Sequence, residues 1–104
     1  MAKVYFTLTG TGHYFGSKFM KKGHELKLVK EPDNRHDKEA IYVEMEGLGK
    51  VGYVANSSHT VMGDSMSAGR LYDKIGDEAI GIVKYKLPGG VLCEVKKAET
   101  YVEE

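Results

Sequence analysis

Between Lys30 and Val43 the chain sets an amide, a guanidinium, an imidazole and a carboxylate side by side, as Asn34-Arg35-His36-Asp37. The segment is turn-rich at Pro32, Asp33 and Asn34, and it separates two stretches that alternate as strands do. Loops held by rigid strands are where binding and catalytic groups concentrate. Asp33 and Asp37 form a carboxylate pair that could exchange protons or hold a cation. The simpler reading is favoured: Asp33 and Asn34 shape an Asx-type turn and Asp37 accepts loop amides. A small hydrolase built on the two aspartates is therefore a distant alternative, and the expectation is a binding module with no catalytic residues.

Other chemistry-bearing residues narrow the field. His13, His24, His36 and His59 show no pair at the short spacing of metal ligands, so no metal is expected. In Thr9–Gly16 the third glycine comes one residue late for a phosphate-binding fingerprint, and no long amphipathic helix follows. No cofactor is expected, and this loop instead displays His13, Tyr14 and Phe15. The single cysteine, Cys93, lies in an apolar alternating segment and reads as a buried structural thiol. Capture of a single-stranded nucleic-acid end needs flat groups for stacking, hydrogen-bonding groups for the terminal sugar and bases, and modest positive charge. Tyr14 with Phe15, the Asn34–Asp37 run, and Tyr53 with Asn56 supply all three.

These groups need a scaffold, and the sequence describes one. Lys3–Thr9 is β-branched and aromatic, with Val4, Phe6 and Leu8 on one face. Phe19 and Met20 anchor the end of the following loop, and Lys21-Lys22-Gly23 turns the chain. His24–Lys30 alternates with Leu26 and Leu28 inward; Ala40–Met45 resumes with Ile41, Val43 and Met45 together. Glu46-Gly47-Leu48-Gly49 then turns into Lys50–Val54, a hairpin that places Tyr42 and Tyr53 on its two arms. Asn56 reads as a helix start, with Val61, Met62 and Met66 as a buried stripe. Gly63 and Gly69 divide that region into helical pieces near Ser57–Ser65 and Ala68–Lys74. Ile80–Leu87 and Val91–Lys97 form a hairpin about Pro88-Gly89-Gly90, and Ala98–Glu104 is an acidic tail expected to fray. The fold class is mainly β with short helices (α+β): a small OB-like or Greek-key barrel of about six strands with a helical insert after the fourth, in one domain over 1–104.

The pattern Glu31-Pro32-x-Asn34-x-x-Asp37-x-x-Ala40-Ile41-x-Val43, followed by Val51-Gly52-Tyr53-Val54, resembles the signature of the HIRAN domain family. The resemblance runs from about Phe6 to Val95 and implies an OB-like barrel with helices between strands. HIRAN domains are modules of eukaryotic DNA-repair translocases and helicase-like proteins that bind single-stranded DNA ends with a free 3′-hydroxyl. They also occur as short bacterial proteins, which this chain resembles in length. By the resemblance, Tyr14, with His13 before it, is the aromatic of the loop after the first strand. Asn34 helps hold the end, Asp37 accepts a hydrogen bond from the 3′-hydroxyl, Tyr53 follows the Val-Gly pair, and a phosphate contact falls near Asn56. The family commonly has Pro-Tyr where this chain has Arg35-His36; the imidazole can still stack, and the guanidinium adds a cation.

Composition sets limits on that reading. The 104 residues hold 15 Lys and Arg against 15 Asp and Glu, a formal net charge of zero, with 41% apolar and 29% charged residues. A protein that coats long nucleic acid releases counterions at many phosphates, and a neutral chain is poorly suited to that. A site for one or two phosphates is compatible with it. The alternative from another class is a protein-interaction module that uses an exposed sheet edge or loop, without nucleic acid. No apolar run approaches the ~20 residues of a membrane helix, and no signal-like segment opens the chain, so a cytoplasmic location is expected. The implied partners are a single-stranded DNA 3′ end and a helicase or nuclease, with no membrane.

Overall fold

The computed structural model describes residues 3–98, with side chains through residue 96. Six strands close into an antiparallel barrel in the order β1-β4-β3-β2-β5-β6. They are β1 (Tyr5–Thr9), β2 (Glu25–Lys30), β3 (Ile41–Met45), β4 (Gly49–Val54), β5 (Glu78–Leu87) and β6 (Gly90–Ala98). Strands β2, β3 and β4 form a meander, and β1 lies beside β4, which is a Greek-key arrangement. One short helix, α1 (Ala68–Tyr72), follows β4. The expected six-strand barrel with a helical insert after the fourth strand is therefore what the chain forms. Every strand has a neighbour on both sides, so capture of a partner by addition to an open sheet edge loses its principal template.

Alternation dictates the interior. Phe6, Leu8, Leu26, Leu28, Ile41, Val43, Val51, Val83, Val91 and Cys93 fill the barrel, and Met20 seals it from the loop after β1. Removing the Phe6 ring would cost about 3–5 kcal/mol in lost burial and cavity. That ring also explains a glycine within β5: a Cβ on Gly81 would stand 3.0 Å from Phe6 Cε1 and 3.1 Å from Leu28 Cδ1. Gly52 has a parallel role in β4. A Cβ there would come within 2.6 Å of the Thr9 carbonyl oxygen and 2.7 Å of Leu8 Cδ1, so glycine permits the close approach of β1 to β4.

Two details of the sequence reading are corrected. Ser57–Ser65 is a series of turns and not a helix; His59 N–H bonds Ser57 Oγ, and Thr60 and Val61 N–H both bond the Ser57 carbonyl. Local serine bonding competes with helix there, and Gly63 takes a left-handed φ of 54° that ends any continuation. Val61, Met62 and Met66 are only half-buried, because the segment runs across β1 instead of presenting a helical stripe. Met66 N–H bonds the Tyr5 carbonyl, and Met62 N–H bonds Thr7 Oγ1. Thr7 is fully buried although it faces away from Phe6 and Leu8. Its hydroxyl is 2.8 Å from Ser65 Oγ, whose own proton goes to the Met62 carbonyl, so Thr7 donates and the three groups close a ring. The second correction concerns the end of the chain: β6 continues through Ala98, and the rest of the expected frayed tail, 99–104, lies outside the described residues.

The insert is fastened at its far end too. Lys30 Nζ donates to the Ile75 carbonyl at 2.7 Å and lies 4.4 Å from the Tyr72 ring centroid. No helix among the described residues is long and apolar enough to cross a membrane.

Candidate functional site

The loop between β2 and β3 is closed at its base by the Glu31 N–H, which bonds the Ala40 carbonyl at 2.9 Å. Within it Asn34 forms the Asx turn: its Oδ1 accepts the His36 and Asp37 N–H groups at 2.8 and 2.9 Å. Its Nδ2 donates to Glu31 Oε1 at 2.7 Å. Asp37 then accepts the Glu39 N–H on Oδ1 at 2.9 Å, as loop-amide acceptance requires. Among the described residues no partner of this kind involves Asp33, which is exposed. The two aspartates thus have separate surroundings, and among the described residues no three His, Cys, Asp or Glu side chains gather to hold a metal ion.

Asn56 connects this loop to the insert. Its Nδ2 donates to Asp37 Oδ2 at 2.8 Å, while its Oδ1 accepts the Gly69 N–H at 2.8 Å. The residue read as the start of a local helix therefore satisfies the first turn of α1, twelve residues beyond it, alongside the Ser67 cap. Because Gly69 can only donate, the Asn56 amide is oriented with its NH₂ toward Asp37. Each Asp37 oxygen accepts one bond, and a carboxylate has about four acceptor positions, so capacity remains on both oxygens.

A shallow pocket of about 350 Å³ lies over this arrangement, lined by Asn34, His36, Asp37, Ala40, Tyr53 and Val54. His36 and Arg35 are exposed; Asn34 and Asp37 are partly covered. The signature loop and Tyr53 thus meet around one concavity, with Asn56 bonded to its acid. His13, Tyr14 and Phe15 do not line it. They lie on the loop after β1, where Thr11–His13 makes one 3-10 turn, and Tyr14 and Phe15 are 39% and 55% exposed. That loop nonetheless leaves the barrel close by, because Thr9, the last residue of β1, pairs with Tyr53.

Beneath the pocket is a cluster that sequence reasoning did not identify as such. Tyr53 OH donates to Glu31 Oε1 at 2.8 Å, and Lys50 Nζ reaches Glu31 Oε2 at 3.2 Å and Tyr53 OH at 3.1 Å. Lys50 Nζ also lies 4.6 and 5.1 Å from the Tyr42 and Tyr53 ring centroids. Lys50 and Tyr53 are an odd number of residues apart and would face opposite sides of a regular strand. A bulge in the β3–β4 ladder, where Val43 pairs with Gly52 but Glu44 pairs with Lys50, brings Lys50 to the face of Tyr42 and Tyr53. Burial alone would raise the Glu31 carboxyl, but hydrogen bonds from Asn34, Tyr53 and Lys50, with the Lys50 charge, outweigh it and hold Glu31 below its ordinary value. Burial would likewise lower the Lys50 ammonium, yet its bonds to Tyr53 and Glu31 raise it. The Tyr53 phenol is pushed up, first by burial and then by its bond to Glu31. The three groups stay as carboxylate, ammonium and neutral phenol, which is the charge state their hydrogen bonds need. Glu31 carried a weak signal, as the acid opening the signature; Lys50 carried none, since only the bulge re-aims it.

Residues 1–83 match the family model described as the HIRAN domain. A search of the curated proteins finds no match. Among solved structures, the crystal structure of the HIRAN domain of human HLTF is similar in fold, with a TM-score of 0.60 and 17% identity over 94% of this chain and 78% of that one. With a family match over most of its length and the barrel to accompany it, the chain belongs to the HIRAN domain family.

Proposed function

We propose that this domain captures a single-stranded DNA end that carries a free 3′-hydroxyl, and that it does so without catalysis of its own. Membership of a family of DNA-binding modules supports the first half of that reading. The observation that carries recognition of the free 3′-hydroxyl is the Asp37 carboxylate, held at both oxygens by Glu39 and Asn56 yet retaining acceptor capacity beside an open pocket. A terminal hydroxyl donates to it; a terminal 3′-phosphate brings like charge against it and is rejected. Asn34 holds the loop that presents Asp37, and the exposed His36 ring stacks on a terminal base. Tyr53 forms the floor, Arg35 meets a phosphate, and Tyr14 and Phe15, with His13 beside them, offer a second stacking platform from the loop after β1. Such a module serves DNA repair or replication-related processing in the cytoplasm, delivering ends to a helicase or nuclease partner.

The test is fluorescence anisotropy with one labelled oligonucleotide offered with a 3′-hydroxyl, with a 3′-phosphate, and as a blunt duplex, at low and moderate salt. The hydroxyl end is expected to bind at least tenfold more tightly than the phosphate end, since burying like charge against Asp37 costs more than 1.4 kcal/mol, the free energy of a factor of about ten. Equal binding to all three sinks the reading. Asp37→Asn should bring the hydroxyl and phosphate affinities together, and persistence of the preference would remove Asp37 from the role.

A further inference from the structure

The chain contains only two arginines, Arg35 and Arg70, against thirteen lysines. The fold brings the segments that carry them together: Arg35 lies in the β2–β3 loop and Arg70 on α1, and Asn56 hydrogen-bonds to both segments, at Asp37 and at Gly69. Both arginines are exposed, and neither makes an ion pair among the described residues, whereas Lys27, Lys50 and Lys84 do. Beyond Asn56, away from the Asp37 pocket, is an open depression of about 600 Å³ whose lining includes Asn56, Ser58, Asp64, Ser67 and Arg70. Asn56 thus lines this depression, beside a planar cation with hydroxyls around it, and is hydrogen-bonded to the carboxylate that lines the neighbouring pocket.

We infer that this depression is a second subsite, in which Arg70 takes a backbone phosphate of the strand whose 3′ end lies at Asp37. The inference rests on the end-capture reading and extends it from the terminal nucleotide to the strand behind it. A guanidinium with no carboxylate partner is suited to paired hydrogen bonds with phosphate, and Ser58 adds a hydroxyl donor. Ser67 is already engaged, since its Oγ accepts the Arg70 N–H at 3.3 Å, and that bond holds the backbone beneath the guanidinium. Asp64 opposes the same phosphate. The subsite is therefore tuned weak, and removal of either charge should move affinity in opposite directions.

The experiment compares a dinucleotide and a hexanucleotide, both with 3′-hydroxyl ends, as competitors of a labelled hexanucleotide, with wild type, Arg70→Ala and Asp64→Asn. Both substitutions fall on exposed side chains, and neither removes a hydrogen bond of the fold described above. Arg70→Ala should weaken the hexanucleotide about fivefold to tenfold and lower the salt slope by roughly one ion, while the dinucleotide is unaffected. Asp64→Asn should tighten the hexanucleotide about twofold to fivefold with the dinucleotide again unaffected. Wild type that prefers hydroxyl ends while Arg70→Ala binds the hexanucleotide as wild type does overturns the second subsite alone. Equal weakening of both oligonucleotides by Arg70→Ala also overturns it, because the arginine would then act at the end itself. Wild type that shows no hydroxyl preference overturns the end-capture reading and this inference with it.

Discussion

Asn56 Nδ2 donates to Asp37 Oδ2 at 2.8 Å, while the same amide's Oδ1 is occupied by the Gly69 N–H. This one side chain therefore sets the direction of the acid to which the proposed end recognition is assigned. Asn56→Asp separates its two bonds: an oxygen remains for Gly69, but a carboxylate now confronts Asp37. The expected result is weaker capture of the 3′-hydroxyl end, because Asp37 loses the bond that aims it, while the added carboxylate keeps the 3′-phosphate end repelled; stability falls by only about 1 kcal/mol, a Tm drop on the order of 4–8 °C. Unchanged affinity for the 3′-hydroxyl end in the anisotropy assay would show that Asp37 does not need its partner.

Asn34 makes three hydrogen bonds, two to loop amides and one to Glu31. Asn34→Ala removes all three, two of them partly buried. Urea denaturation should report a loss of about 2 kcal/mol, well above the ~0.5 kcal/mol typical of a surface substitution. A loss within that surface range would mean that the loop holds its shape without the Asx turn.

Glu31 supplies a pH dependence of defined sign. Its carboxyl is held below the ordinary 4.5 in the folded protein, so the ionised form is favoured by folding. The stability this contributes is complete above about pH 4.5 and disappears as the pH falls through the lower, folded value. Tm measured from pH 7 to pH 3 should therefore fall more steeply for wild type than for Glu31→Gln, with the curves converging at the acid end. Parallel curves would exclude Glu31 as a source of the acid sensitivity.

Tyr14 and Phe15 project from the loop after β1 and are not part of the core. Tyr14→Ala and Phe15→Ala should leave Tm within about 4 °C, as expected for exposed positions. Whichever ring stacks on a base should lose about 1–3 kcal/mol of binding on truncation. If neither variant binds more weakly, the platform is confined to the β2–β3 loop.

Cys93 is fully buried inside the barrel, and burial pushes its thiol up to about 12. Only the thiolate reacts readily, so an aromatic disulfide reagent at pH 8 should label the native protein no faster than it unfolds. Fast labelling under native conditions would place the thiol within reach of solvent.

The strands were legible in the sequence because a period of two, with valine, isoleucine and leucine on one side, leaves few alternatives once one face must be buried. The Pro88-Gly89 hairpin and the placing of Tyr42 and Tyr53 on two arms of one hairpin followed from turn chemistry and alternation, whereas the register that pairs the two tyrosines directly did not. The Asx turn at Asn34 was legible for the same reason, since a short amide bonds its own backbone wherever the chain turns. The turns over Ser57–Ser65 were not, because helix propensity there competes with anchoring to β1 through Thr7, a contact between residues far apart in the chain. Nor could pattern reveal that Asn56 serves a distant helix and Asp37 instead of its own neighbours. The bulge that turns Lys50 toward Glu31 and Tyr53 belongs to the same group. Local periodicity determined the elements and the residue types offered at the loops; closure of the barrel decided which of them meet, because a side chain's partner across space is set by register and strand order, which no local spacing encodes.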